Sequence, residues 1–186
     1  MSRLRFTRSR PLLGWVVLVA FVAPATLAQE PVYQRLLKLP GARDSLAFTG
    51  SVSADLVTGE VLVTDVRNNR ILIFDAEGIF RFQISGGDVF NAPLEVAVDP
   101  QGFILVIASH QGRRSLLELD FDGLFLGEIE FSSIPEGWPE PRFDSIALSP
   151  SGKRIYLLDR RNLLLWIVDR TGEVHAVTDL AEDLSE

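Results

Sequence analysis

The 186-residue chain has no cysteine, two histidines (His110 and His175) and one methionine, at its start. Without cysteine there are no disulfides, no thiolate zinc sites, no cysteine nucleophile and no lipid attached through a thiol. Two histidines supply histidine-based metal or proton-transfer chemistry poorly, because such sites draw several ligands together. The motifs of common chemistries are missing as well: no Gly-x-Ser-x-Gly, His-Glu-x-x-His, phosphate-cradling loop or dinucleotide fingerprint occurs, and Gly86-Gly87 is too short to count as one. There is no Asp-x-Asp-x-Asp-Gly loop either. Calcium is the one metal for which oxygen ligands stand ready (Asp65, Asp88, Asp144, Asp159), and no cofactor is otherwise expected.

What is present begins with a distinct leader. Arg3, Arg5, Arg8 and Arg10 precede an uncharged apolar run over 12–23, and Thr26-Leu27-Ala28 then offers small residues suited to cleavage. This is the anatomy of a secretory signal peptide over 1–28, an uncleaved anchor being the alternative because 12–28 is at the short limit of a span. No twin arginine occurs within residues 1–28. Removing the four arginines takes the formal charge from −7 to −11. So acidic a domain repels phosphate backbones and anionic lipid, which argues against nucleic acid and, after cleavage, against a membrane as partner. Export without cysteine fits a bacterial periplasm or the extracellular space. Packing must then supply the stability, and 47% hydrophobic content allows a real core.

The remainder is repetitive. Residues 61–75, VLVTDVRNNRILIFD, read as an apolar strand, a polar turn and a second apolar strand. The pattern returns at 155–169, IYLLDRRNLLLWIVD, with its two aspartates again ten apart, and a looser copy with an altered turn spans 104–120. Turn glycines keep the same period: Gly59, Gly102 and Gly152 are 43 and 50 apart, and Gly78, Gly123 and Gly172 are 45 and 49 apart. The Pro-rich insert 135–141 accounts for the longer interval. Around the repeat, further strands are expected at 51–56, 79–84, 94–98, 103–108, 116–119, 124–131, 145–148 and 173–177. A 40–50-residue period with four strands each marks propeller blades, a sandwich being the alternative. The fold expected is all-β: a partial or open propeller of four-stranded antiparallel blades at about 45–85, 90–131 and 142–178. Residues 29–44 carry one N-terminal strand (32–39, a short helix being the alternative) and a loop, and 181–186 form a C-terminal tail.

The segment VTDVRNNRILIFDAEGIFRFQI resembles an NHL repeat, with Asp before the turn, Asn-Arg at its exit and Asp-x-x-Gly afterwards. LEVAVDPQGFILV is similar to that family's inner strand and first turn, and the resemblance covers roughly 45–180. The second copy departs from it, having Ala108-Ser-His-Gln-Gly-Arg-Arg in place of the Asp and Asn-Arg; the third keeps Asp159 and Asn162 but has Leu164 for the Arg. The resemblance implies a propeller that is usually six-bladed. Three blades fall short of that, so the chain is expected to be a truncated form of a longer protein or half of a self-associating ring.

In a propeller, the connecting loops share a face with the turns between second and third strands. That face would gather Arg67, Arg70, His110, Arg113, Arg114, Arg160 and Arg161, with Trp138 from the insert. Such a basic rim on an acidic protein suits an anionic small ligand or an acidic protein partner. Asp65, Asn69, Asp159 and Asn162 are expected to serve the turns themselves, Asp by bonding turn amides and Asn by tolerating the left-handed conformation. No catalytic residue is assigned. The function expected is a non-enzymatic binding scaffold, with a metal-assisted propeller hydrolase or lyase, completed by further blades, as the alternative.

Overall fold

A computed structural model describes residues 45–183, all within one compact unit of the chain. The leader 1–28 and the strand expected over 32–39 lie outside the described residues. The rest is all-β: β1 (Thr49–Ala54), β2 (Val61–Asp65), β3 (Arg70–Phe74) and β4 (Phe80–Ser85) form the first blade; β5 (Asn91–Val98), β6 (Ile104–His110), β7 (Arg113–Leu119) and β8 (Phe125–Glu128) the second; β9 (Ser145–Leu148), β10 (Ile155–Asp159), β11 (Leu164–Val168) and β12 (Val174–Asp179) the third. Each blade is a separate four-stranded antiparallel sheet with its strands in sequence order. A single helical turn, α1 (Leu180–Asp183), follows.

The turns explain the boundaries. At the start of every β3–β4-type turn an aspartate accepts two main-chain amides ahead of a glycine. Asp75 Oδ1 takes Glu77 N at 3.1 Å and Ile79 N at 2.8 Å. Asp120 and Asp169 repeat this on Asp122 and Leu124, and on Thr171 and Glu173. The glycines Gly78, Gly123 and Gly172 have φ of 78, 87 and 82°, where other residues are strained. In the second blade, strands expected at 103–108 and 116–119 extend instead to His110 and back to Arg113. Gln111 and Gly112, with φ of 49 and 81°, close that hairpin in two residues, so the apolar run understates the strand length. The strand expected at 51–56 also shifts. Asp55 ends β1 by accepting Val57 N at 2.8 Å and the Thr58 hydroxyl at 2.7 Å.

Alternation along the strands packs one blade on the next. Leu62, Ile71, Ile73 and Ile84 of the first blade meet Val96, Ile104, Val106 and Leu117 of the second. The opposite face of the second blade, Leu105, Ile107 and Leu116, meets Ile155, Leu157, Leu164 and the fully buried Trp166 of the third. First strands lie innermost: β5 packs against β1, β2 and β9. Its free edge is tied to the first blade by Val96 N on the Ser51 hydroxyl at 3.2 Å and by the Thr64 hydroxyl on Leu94 O at 3.2 Å. Gly50 permits this approach, since a Cβ there would fall on the Leu94 carbonyl oxygen. On β1 and in the turn that follows it, Val52, Leu56 and Val57 stay exposed. Tyr156, Leu158, Leu165 and Ile167 form a half-buried face on the side of the third blade away from the second.

Gly172 is the most constrained glycine of the set. Its φ is 82°, it is buried, and a Cβ would land on the Glu130 carbonyl oxygen. Gly87 also has positive φ but open space around it. Gly87→Ala should therefore cost about 1–2 kcal/mol from the left-handed backbone alone. Gly172→Ala should cost clearly more, read as the larger fall in urea midpoint.

Candidate functional site

The turns between second and third strands, together with the segments entering each blade, form one end of the molecule, termed here the upper end. Asp65 and Asp159 hold it together. Asp65 is fully buried; its Oδ1 accepts Ala47 N at 3.2 Å and Phe48 N at 3.4 Å from the segment entering β1, and its Oδ2 accepts Asn68 Nδ2 at 2.7 Å and Arg70 Nε at 3.1 Å. Asp159, equally buried, accepts Arg142 N at 3.2 Å from the segment entering β9, the amides of Arg161 and Asn162 at 3.0 Å each, and Asn162 Nδ2 at 2.8 Å. Each carboxylate thus staples a turn to the start of its own blade. Burial pushes both carboxyls up, but the combined hydrogen bonds outweigh it and hold both below the usual carboxylate range. With their oxygens so engaged, neither is placed to ligate calcium.

Asn69 works in the opposite direction, toward the next blade. Its φ is 56°, its side-chain oxygen accepts Ala92 N at 3.0 Å, and its Nδ2 reaches Asn91 Oδ1 at 3.1 Å. The second blade lacks the staple aspartate and substitutes two other contacts. His110 Nδ1 meets the Val89 carbonyl, which can only accept, so the imidazole proton sits on Nδ1. Arg114 reaches across to the Phe143 carbonyl at 3.2 Å and to the Asp144 carboxylate.

The candidate ligand residues therefore divide. Arg70 is buried, with Nε on Asp65 and Nη1 on Gln83 Oε1 at 2.9 Å, so it belongs to the turn rather than to an exposed rim. Arg113 pairs with Glu128 at 2.6 Å. Trp138 is half-buried against the cluster between the second and third blades. Arg67, Arg160 and Arg161 are exposed, and no carboxylate pairs with them among the described residues. Arg142, which sequence reasoning passed over, is exposed and equally unpaired. Its position in a connecting loop ahead of β9 was the available signal. The main chains of Arg142 and Arg161 are pinned to Asp159, and Arg160 N bonds Asp144 Oδ2 at 3.1 Å. Of these, Arg142 lines a depression of about 560 Å³, together with Arg113, Arg114, Gly112 and Glu140.

The opposite, lower end carries the first-to-second and third-to-fourth turns. There Arg170 crosses from the third blade to bond Asp99 Oδ2 at 2.9 Å, pairs with Glu118, and stacks over the Phe103 ring at 4.2 Å. Asp169, Glu173 and His175 bring ligand atoms within 4.8 Å of one another in the last hairpin. Yet Asp169 already accepts the Thr171 hydroxyl and two amides, and His175 Nε2 lies 2.9 Å from its other oxygen. The Thr171 hydroxyl above all, against a smaller opposing effect of burial, holds the Asp169 carboxyl far below the usual range.

No protein-family model and no curated protein sequence matches this chain. Solved structures do resemble it. One, a protein of unknown function from Bacteroides caccae, is 19% identical over 71% of this chain and 46% of its own, with a TM-score of 0.48. Another, Kuenenia stuttgartiensis hydrazine synthase, is 16% identical over 75% of this chain and 38% of its own, with a TM-score of 0.52. The chain thus spans less than half the length of either. At such identities the likeness concerns the fold, and with the three four-stranded blades it defines a propeller-like all-β protein.

The depressed carboxyls fix a pH dependence. A group whose folded pKa lies below its unfolded value stabilises the fold above the unfolded pKa, and that contribution is lost as pH falls through the folded one. Asp65, Asp159 and Asp169 all have this sign. The melting temperature should hold through neutral pH and fall progressively below about pH 4. Asp159→Asn should lose about 1–3 kcal/mol at pH 7, by weakening the acceptors of the three amides and one side chain it holds, and show a shallower acid decline.

Proposed function

We propose that this chain is an exported propeller module of the NHL type, part of a six-bladed arrangement, that acts as a non-enzymatic scaffold and takes an anionic small ligand or an acidic protein segment at its upper end. The supporting observation is the set Arg142, Arg160 and Arg161. Three guanidiniums without a carboxylate partner rise from main-chain positions fixed by Asp159 and Asp144, and one of them, Arg142, lines the depression together with Arg113 and Arg114. In a chain of formal charge −7, cations left unpaired on a pinned frame are an arrangement suited to attracting carboxylate or phosphate. Arg67 extends the same end on the first blade. The NHL assignment is supported by the way Asp65, Asn68, Asn69 and Arg70 act as one turn unit. Export rests on the leader, and periplasmic or extracellular placement on the lack of cysteine.

A propeller hydrolase or lyase has less support, because among the described residues His110 belongs to no group of three or more metal-ligating side chains. Citrate and a Glu-rich peptide are the probes for the scaffold reading, followed by calorimetry at low and high salt. At least one should bind, weaken with salt, and weaken about tenfold or more in the Arg142→Ala/Arg161→Ala double variant. No binding of either probe, or undiminished binding by a folded double variant, refutes the reading.

A further inference from the structure

The molecule holds a second, chemically opposite feature at its axis. A cavity of about 430 Å³ opens where the ends of the three first strands converge, walled by Val52, Val57, Val98, Ile146 and Leu148. That is within the size range of small-ligand sites. Its walls are mainly aliphatic with Ser53 and Ser149 among them, and the acids on its lower rim are committed: Asp55 to Val57 N and the Thr58 hydroxyl, Asp99 to Arg170 and two amides.

Glu95 is different. It lies on β5 opposite Ile107, on the face turned to the third blade, and it lines the same cavity. It is half-buried, and among the described residues no hydrogen-bond donor and no cation within ion-pair distance meets its carboxylate. The charged group acting on it is Arg160 of the third blade, from beyond ion-pair distance. Burial, opposed in part by that arginine, holds its carboxyl above the usual range. A carboxylate withdrawn from water without a partner is costly, whereas Gln would fill the same space at less cost. The main-chain groups beside it add acceptors and donors. Val96 N bonds Ser51 Oγ and Asp99 N bonds Phe103 O, so by the alternation of an antiparallel ladder the N–H and C=O of Val98 also turn from β6 toward the axis.

The geometry points to this axial cavity as a binding site for an aliphatic ammonium ligand, with Glu95 as counter-ion and the aliphatic walls receiving the hydrocarbon part. The site is distinct from the anionic one: it lies at the axis, uses a carboxylate rather than guanidiniums, and selects the opposite charge, although Arg160 acts on both. Bound cation stabilises the ionised form of Glu95, so binding strengthens as pH rises through the raised carboxyl range and levels off above it. The other charged groups near the cavity are Asp55 and Asp99, each bonded to its own partners, and Arg160.

Hexylammonium, hexanol and hexanoate, titrated calorimetrically into the full chain, form the test. Hexylammonium should bind at least tenfold tighter than hexanol or hexanoate. Glu95→Gln should remove that preference while leaving the melting temperature unchanged or raised, because the variant discards a half-buried unpaired charge. Ala54→Trp, at an exposed position on the cavity wall, should block all three probes and guards against a Glu95 variant that fails to fold. Equal binding of hexanol and hexylammonium, no binding of hexylammonium at millimolar concentration, or unchanged preference in Glu95→Gln would each overturn the assignment. Because citrate is read at the other end, failure of either site leaves the other's result intact.

Discussion

Everything at the upper end depends on a buried carboxylate that faces two ways. Asp65 and Asp159 sit at the last position of a second strand, beneath a turn, and accept amides both from that turn and from the segment entering the same blade. The first strand of a blade has a sheet partner on one side only, so nothing in the ladder fixes its beginning. The aspartate supplies that fixing point. It supplies the amides of the turn and of the entry segment with acceptors. Stapling the entry segment also sets where the previous blade's chain must arrive, which is how Asn69 can hold Asn91 and Ala92 of the next blade in register.

The second blade shows what happens when this residue is missing. Its turn shortens to Gln111-Gly112, its strands lengthen, and the stitching passes to side chains that reach outward: His110 to Val89, and Arg114 to Phe143 and Asp144. The job is the same but the partner differs. Arg114 holds the entry of the following blade rather than its own, so the second and third blades are tied by an ion pair where the first and second are tied by amides. One of the cations that made the upper end look basic, Arg114, is absorbed by this stitching.

The sequence conveyed the fold well because the fold is written in short-range signals. Residues 61–74 alternate strand, turn and strand with apolar runs that match the observed β2 and β3, and the six turn glycines sit at positive φ. Where a boundary was misjudged, a local residue was responsible: Asp55 stops β1 early, and Gln111 takes a left-handed conformation with little to announce it. The site was far less legible. Arg70 and Arg67 look alike in sequence, two cations three apart in one turn, yet one is buried on Asp65 and the other exposed. That difference depends on Gln83 and Ser45, which come from other elements. Glu95 was passed over for a similar reason: an acid within LEVAV reads as one polar position in a strand until the third blade is seen to close over it.

Asp65 and Glu95 show why burial alone does not identify a functional acid. Asp65 is the more buried, but donors from Ala47, Phe48, Asn68 and Arg70 leave its oxygens occupied and its carboxyl below the ordinary range. Glu95 is less buried and has no donor among the described residues, so desolvation raises it instead. The sign of the shift separates the two roles. A carboxylate whose charge is already neutralised by protein amides has nothing left to offer a ligand, and mutating it breaks structure. A carboxylate whose charge is opposed by its surroundings gains most from an incoming cation, and mutating it spares the fold. In a repeat architecture, where the same turn acid recurs from blade to blade, the acid that departs from the repeat is the one to look at for function, and here it stands on the innermost strand at the axis.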